Sequence, residues 1–385
     1  MTSLWGCGFA GGMRTSRLQS TSDPAVVRMR SPGEIVSAAP ILLGFTPADS
    51  LVLICLRDTR LGLTCRIDLA DVTDDELISD VTAAVRRNGA TSVILIAYGL
   101  DRALTEPALV RMRTVILKAG IKVKDDLSVV DGRWFHEGCT EARCCPSQGT
   151  PVSDHDEAPT TMALAAAKGG HLASREELVA LVAPDRPLLR TAIAAALDAV
   201  DPAEVTDENV AADLTAILGW GDGQEPTPHQ LARSMIACVL PEIRDTWYAL
   251  VAPGMLLGTE ERRSRLLERL CRAGAAAGDL SEDGFLKDPE ARERILGRIR
   301  QWVRNLPDSV PGFLAGPLAV AATAHWCAGD GALARELVER AGALDAAPLS
   351  VLVTLQSALQ HGVRPPEVGW LSDDIVKDRR RRRVA

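Results

Sequence analysis

The stretch PILLGFTPADSLVLICL, residues 40–56, decides the fold expected for the first part of the chain. An apolar run from Ile41 to Phe45 stops at Thr-Pro-Ala-Asp-Ser, and a second apolar run covers residues 51–56. Because the second run has no polar face, it predicts a strand inside a sheet that is covered on both sides. The interruption is typical of a loop, since proline fixes its own backbone and Asp and Ser bond to nearby amides.

The segments on either side of this strand predict alternating helices and strands. Ser31 begins a helix, with Pro32 in the first turn and Glu34 placed to complete a capping box. Residues 61–69, LGLTCRIDL, alternate apolar and polar side chains, as expected for a hairpin partner with one polar face. Residues 92–98, SVILIAY, form a second run that is apolar on both faces.

The remaining patterns complete a domain of mixed type. Further helices are expected at residues 73–88 and 105–119, and one or two strands at 123–135. The order α-β-β-α-β-α-β predicts an α/β domain, with a mixed sheet and flanking helices, over residues 29–145. We expect both two-faced apolar runs to be buried in its sheet.

A change of composition marks the end of this domain. Residues 146–161, PSQGTPVSDHDEAPTT, are rich in Pro, Ser and Asp, which predicts a linker and connecting segment over 146–173. Only helical patterns follow, so residues 174–365 are expected to form an all-α domain. Its last three helices, around a Gly-Asp-Gly turn, resemble about one and a half tetratricopeptide repeats. Residues 1–28 are expected to be a disordered leader, and residues 366–385 a basic tail.

Composition restricts the class of protein. The 385 residues are enough for about two domains, and 46% hydrophobic with 24% charged residues is typical of globular chains. The net charge of −8 argues against a general nucleic-acid binder, so contact with nucleic acid is expected only through Arg379–Arg383. No apolar stretch is long enough to span a bilayer. Most of the nine cysteines are single and in apolar surroundings, which predicts buried thiols in a reducing cytoplasm.

Polar residues at the edge of the predicted sheet are candidates for an enzyme site. Arg66 and Asp68 lie side by side on one strand face, where they could recognise an anion or a peptide, with the Ser50 hydroxyl nearby. Asp101 follows the carboxyl end of a buried strand, where ligands of α/β sheets usually bind. These candidates are, in chain order, Asp49, Ser50, Arg66, Asp68 and Asp101. A strand follows Ser50 where a nucleophile elbow would need a helix, which argues against a serine hydrolase. A turn and a cross-strand ion pair explain the same residues, so both interpretations stay open at this point.

The densest group of candidate metal ligands lies in WFHEGCTEARCCP, residues 134–146: His136, Cys139, Cys144 and Cys145. Thiolates with a nearby imidazole are suitable donors for zinc. Adjacent side chains of an extended segment point to opposite sides, so Cys144 and Cys145 are not expected to reach one ion together. Because a fourth ligand is then missing, we expect no cofactor, or less than one zinc per chain. A disulfide, or a packed loop with buried thiols, would explain the same residues.

Several of these stretches resemble the DUF4192 family, actinobacterial proteins of unknown function. The resemblance is carried by LLGFTPADSLVLICL, LTCRIDL, CTEARCCPSQGTPV and GDGALARELVERA, and it extends over roughly residues 29–365. It implies no particular activity, because none is assigned to the family.

The expected function follows from what the sequence contains and lacks. Neither a Walker A sequence nor a Gly-x-Gly-x-x-Gly motif occurs. The sequence therefore favours a noncatalytic, cytoplasmic interaction or scaffold protein whose helical domain binds a protein partner. The alternative is a hydrolase or metal-dependent enzyme with its site at the edge of the α/β sheet.

Overall fold

The structure, a computed structural model, describes residues 29–139, 141, 145–168, 170–221, 223–251, 265–280, 289–347, 349–363 and 365. The chain separates into two compact units, of which the first comprises the residues up to Leu178 together with Gln360–Arg364. The expected leader and basic tail lie outside the described residues.

Six strands of the first unit form one sheet, and this sheet is mixed, as the sequence predicted. The strands are β1 (Ser50–Arg57), β2 (Arg60–Asp68), β3 (Ser92–Tyr98), β4 (Lys122–Val130), β5 (Arg133–His136) and β6 (Thr150–Pro151). Their order in the sheet is β2-β1-β3-β4-β5-β6. Strands β3 and β4 pair in parallel, and the other four pairs are antiparallel.

Helices cover both faces of this sheet. They are α1 (Pro32–Leu43), α2 (Asp75–Arg87), α3 (Arg102–Lys118) and α4 (Pro159–Lys168). Alternate side chains of the inner strands enter two separate cores. Val52 and Ile94 pack in a core with α1 and α4, whereas Leu53 and Leu95 pack in a core with α2 and α3. Every residue of β3 is buried and β1 is buried up to Leu56, which confirms the prediction for both apolar runs.

Helix α1 continues through Pro40 to Leu43. Proline has no N–H to donate to the carbonyl of Val36, one helical turn earlier. The hydroxyl of Tyr98 on β3 donates to that carbonyl instead, at 3.3 Å. The helix ends at Gly44, whose φ of 85° is left-handed. The backbone group that proline leaves unpaired therefore attaches α1 to the sheet.

Aspartates, rather than the expected residues, begin the next two helices. Asp74, and not Thr73, accepts hydrogen bonds from the backbone N–H groups of Glu76 and Leu77 at the start of α2. Asp101 accepts from the N–H of Ala103, so α3 begins three residues before the expected position 105, at Arg102.

The edge strand β2 changes the face of its side chains at a bulge. The register with β1 shifts between Ile54 and Leu56. Leu61 consequently packs toward the α1 core, whereas Leu63 and Cys65 pack toward the α2 and α3 core. The simple alternation expected for residues 61–69 therefore holds only beyond the bulge.

The α/β unit extends beyond residue 145, into the segment expected to be a linker. Residues 150–151 form β6, which pairs with β5. Helix α4 packs against α1, and its Leu164 is buried in the same core. Residues near the end of the chain also belong to this unit, where the Asn88 side chain donates to the carbonyl of Gly362 at 2.7 Å.

The second unit is helical, as predicted. Its division from the first falls within α5 (Arg175–Ala180), and α6 (Pro187–Leu197), α7 (Asp207–Ile217), α8 (Pro228–Ala237), α9 (Pro241–Val251), α10 (Arg265–Ala276), α11 (Pro289–Asn305), α12 (Pro311–Cys327), α13 (Gly331–Gly342) and α14 (Ser350–Gln360) follow. Among the described residues, none of the helices is both long and apolar enough to cross a membrane.

Helix α12 is the central helix of this unit. All its residues from Leu314 to Trp326 are buried, and it packs against α8, α9, α11 and α13. The turn to α13 is fastened by Asp330, which accepts from the N–H of Leu333 and lies 3.0 Å from the buried imidazole of His325. Residues Ala334 and Leu337 of α13 are fully buried. The two helices therefore pair around the turn.

Replacing Ala334 by Trp should overpack this helix pair and lower the free energy of unfolding by about 1–3 kcal/mol. Arg335→Trp, at an exposed neighbouring position of α13, is the matched control and should change stability much less. Urea unfolding of both variants measures the difference. Equal stability of Ala334→Trp and the parent chain would show that α12 and α13 are not packed at this position.

A second contact of α12 depends on the absence of a side chain. A Cβ atom on Gly316 would lie 2.7 Å from the backbone oxygen of Cys238, at the end of α8, whereas one on Gly312 would meet nothing within 4 Å. Gly316→Ala should therefore destabilise the unit by about 1–3 kcal/mol, since backbone has to move. Gly312→Ala should leave stability unchanged or raise it by up to about 1 kcal/mol through helix propensity. Thermal unfolding of the two variants in parallel tests this, and equal effects would contradict the close approach.

Candidate functional site

The structure brings together three of the five polar candidates from the strand ends. Ser50 and Asp68 face each other across β1 and β2. The Arg66 guanidinium donates to the Ser50 hydroxyl at 2.7 Å and to the Asp68 carboxylate at 2.5 Å. It also lies 6.0 Å from the centre of the Phe45 ring. The guanidinium is thus held by a hydroxyl, a carboxylate and an aromatic face.

The other two candidates have backbone roles. Asp49 is exposed with a left-handed φ of 43°, and its carbonyl accepts from the N–H of Leu69 at 2.9 Å. Asp101 caps helix α3. The loop before β1 is also paired, because Leu172 donates to the carbonyl of Gly44 and accepts from the N–H of Thr46, both at 2.9 Å. The loop that interrupts the opening stretch is therefore hydrogen-bonded to Leu172, a residue that is distant in the sequence.

Ser50 is poorly placed to act as a nucleophile. Its hydroxyl donates to the backbone oxygen of Ala48 at 2.5 Å and accepts from Arg66. Neither group can take the proton that a nucleophilic serine has to lose. The side chain is also fully buried. This arrangement supports the sheet edge and offers no general base to Ser50.

A second group forms where strand β5 ends. His136, Cys139 and Cys145 each offer one ligand atom, and the three atoms lie within 4.8 Å of one another. Antiparallel pairing places His136, the last residue of β5, opposite Leu127 of β4. The chain then turns, with the N–H of Cys139 donating to the carbonyl of His136 at 3.3 Å. Cys144, the fourth candidate ligand, lies outside the described residues.

The imidazole of His136 is oriented by an aspartate. Its Nε2 lies 2.8 Å from an Asp125 carboxylate oxygen on β4. Nδ1 is buried and has no hydrogen-bond partner among the described residues. An imidazole whose one nitrogen is held by a carboxylate presents the lone pair of the other nitrogen, which is the usual arrangement of metal-binding histidines.

The electrostatics of this group favour a cation. The hydrogen bond with Asp125 raises the pKa of His136 against the opposing effect of burial. Burial, and then the hydrogen bond with Cys139, raises the pKa of the Cys145 thiol to about 12. The Cys145 thiol therefore resists ionisation near the Asp125 carboxylate, and a bound cation would stabilise its thiolate.

Further charged groups fasten the opposite face of the same strands to α3. Asp126, the neighbour of Asp125, is buried, which raises its pKa, and it pairs with Arg113 at 2.5 Å. Glu137, the neighbour of His136, accepts from Ser128 and forms an ion pair with Arg102 at 2.5 Å. These ion pairs fix the backbone that carries the His136 group.

Comparison with known proteins gives one result. The profile of the family described as "Domain of unknown function (DUF4192)" matches residues 32–366. The chain belongs to the DUF4192 family. Neither the comparison with curated proteins nor the comparison with solved structures gives a match.

Asp125 is the residue of this DUF4192 chain that sequence reasoning missed. The segment KDDLSVV, residues 124–130, has two adjacent aspartates, and strand alternation already implies that they face opposite sides of the sheet. The register of β4 against β5 decides which of the two meets His136. That register is not visible in the sequence.

Ser50→Ala should lower the free energy of unfolding by about 1–3 kcal/mol, because it removes the acceptor of a partly buried guanidinium N–H. Ser79→Ala, at an exposed position of α2, is the control. The measurement is urea unfolding, combined with exposure of the native chain to a fluorophosphonate probe. Labelling of Ser50, or an unchanged stability of Ser50→Ala, would contradict a structural role.

Proposed function

We propose that the α/β unit of this DUF4192 protein binds a transition-metal ion, zinc in the first place, through His136 Nδ1 and the sulfur atoms of Cys139 and Cys145. The observation that carries the proposal is the convergence of the three ligand atoms within 4.8 Å. The buried Nδ1 and the carboxylate on Nε2 support it independently.

The distances suit a small ion. Zinc lies about 2.3 Å from thiolate sulfur and about 2.0 Å from imidazole nitrogen, so ligands on one tetrahedral ion are about 3.5–4 Å apart. The three atoms are at most 4.8 Å apart, so each separation has to shorten by no more than about 1.3 Å. Two soft thiolates and one imidazole favour zinc over magnesium or calcium, which prefer oxygen ligands.

The charge of the site supports the same conclusion. Two thiolates beside Asp125 would repel one another without a cation. The ion pair of Asp126 with Arg113 lies on the other face of β4 and neutralises only that second carboxylate. A divalent ion balances both thiolates, and Asp125 strengthens the imidazole as a ligand.

Three protein ligands leave one tetrahedral position for water or another donor. Catalytic zinc sites share this property, whereas structural sites usually have four protein ligands. The enzyme hypothesis is therefore supported as a metal-dependent reaction at this position. Its site would be the end of β5 and not the Ser50 group.

Zinc analysis of the purified chain tests the proposal. We expect about one zinc per chain, in contrast to the smaller amount expected from the sequence, because the geometry supplies three converged ligands. Cys139→Ser and Cys145→Ser should lose the metal, and Asp125→Ala should weaken binding about 10–100-fold. Cys65→Ser and Asp80→Ala, away from the group, should bind as the parent chain does.

Cobalt substitution gives a second readout, because thiolate-to-cobalt absorption requires cysteine ligands. Absorption without a thiolate contribution, or full zinc content in Cys139→Ser, would refute the site. Circular dichroism of each variant checks that a loss of metal is not a loss of fold.

An interaction role for the helical unit stays a prediction. The tetratricopeptide-like character of its last helices and the cytoplasmic location of the protein also stay predictions. Its support is the paired helices α12 and α13 and several exposed apolar side chains, among them Val239, Leu240 and Phe313. Purification of bound proteins from native lysate, with the full chain and with its Cys139→Ser variant, would separate this role from metal binding.

A further inference from the structure

We propose that Cys139 and Cys145 are a peroxide-sensitive thiol pair, and that formation of a disulfide between them releases the metal ion. The proposal rests on the metal site proposed above and adds its regulation. A sulfur atom in a disulfide is a poor metal ligand, so the same two atoms cannot serve both states.

The geometry of the two thiols favours this reaction. Their sulfur atoms lie within 4.8 Å, and both residues are in the thiol form in the structure. A disulfide bond of about 2.05 Å requires the sulfurs to approach by less than about 3 Å. Cys139 is held by the turn that follows β5, and the N–H of Cys145 donates to the carbonyl of Glu141 at 2.8 Å. Only five residues separate the two cysteines in the sequence, and closure of a short loop costs little chain entropy.

Access distinguishes this pair from the thiols buried in the cores. Cys139 and Cys145 are partly exposed, whereas Cys55 and Cys238 are buried in the cores. An ion held by three protein ligands would leave one position open, next to which a small peroxide could approach the sulfurs. Oxidant in solution therefore meets this pair before the core thiols.

The chemistry balances with hydrogen peroxide as the oxidant. One thiolate attacks a peroxide oxygen, the O–O bond breaks, and a sulfenic acid and hydroxide form. The second thiolate then attacks the sulfenic sulfur, the S–O bond breaks, and a second hydroxide leaves as the disulfide forms. Two protons from solvent convert the hydroxides to water. Each sulfur loses one electron, and His136 alone cannot retain the ion.

The experiment uses the full chain loaded with zinc and treated with one equivalent of hydrogen peroxide. A chromophoric chelator follows zinc release, and non-reducing peptide mapping identifies the disulfide. Trypsin cleaves after Arg143 and so separates Cys139 from Cys145 unless a disulfide links the two peptides. We expect one zinc released per disulfide formed, and recovery of binding after addition of a dithiol reductant.

Two variants make the assignment. Cys144→Ser should still form the disulfide, which assigns it to Cys145 and not to the adjacent cysteine. Cys65→Ser should behave as the parent chain. A disulfide that requires Cys144, or peroxide treatment that releases zinc while Cys139 and Cys145 stay unlinked, would overturn the proposal. So would zinc that stays bound at full occupancy.

The outcomes also separate the two proposals. A chain that binds no zinc but still forms the Cys139–Cys145 disulfide would refute the metal site and with it the coupled release. A chain that binds one zinc and resists one equivalent of peroxide would keep the metal site and refute its redox control.

Discussion

The structure of the first unit depends on burial of the strands β1 and β3 from both sides. Alternate side chains of each strand enter different cores, one beneath α1 and α4 and one beneath α2 and α3. Neither strand has a side that tolerates water, so the helices of both layers are required for either strand to be stable. The backbone hydrogen bonds of Leu172 and the hydrogen bond from the Tyr98 hydroxyl to α1 follow from this constraint. Each of them pairs a backbone group that the covering helices and loops leave unpaired.

The candidate metal site belongs to the same sheet and lies at strands β4 and β5, which follow β3 in the strand order. Strands β4 and β5 lie outside the central pair of strands that helices cover on both faces, so their side chains include charged groups. Adjacent residues of a strand point to opposite faces, and consecutive residues therefore carry different roles. Asp125 orients His136, while Asp126 pairs with Arg113 of α3. Glu137 is likewise bound on the α3 face, where it pairs with Arg102. Ion pairs on one face thereby hold the candidate ligands on the other.

The local sequence pattern predicted the elements whose structure depends mainly on their own residues. The runs at 51–56 and 92–98 have no polar face, and that property alone predicts a covered strand. Strand β6 and helix α4 were not predicted, because a Pro-, Ser- and Asp-rich composition resembles a linker and pairing with β5 is a nonlocal contact. The same limit applies to the site. Residue types identified His136, Cys139 and Cys145, but their convergence and the contact with Asp125 depend on strand register and on the path of a turn.

The Ser50 group and the His136 group differ in which of their polar atoms have a hydrogen-bond partner among the described residues. In the Ser50 group, the hydroxyl and guanidinium bind partners within the group, and the arrangement satisfies itself. In the His136 group, Asp125 occupies one imidazole nitrogen, and the other is buried without a hydrogen-bond partner among the described residues, near the sulfur atoms of Cys139 and Cys145. A buried acceptor of this kind costs free energy unless it is bound. The convergence of two sulfur atoms with an imidazole nitrogen that has no partner among the described residues, and not the number of polar residues, therefore distinguishes the His136 group from the Ser50 group.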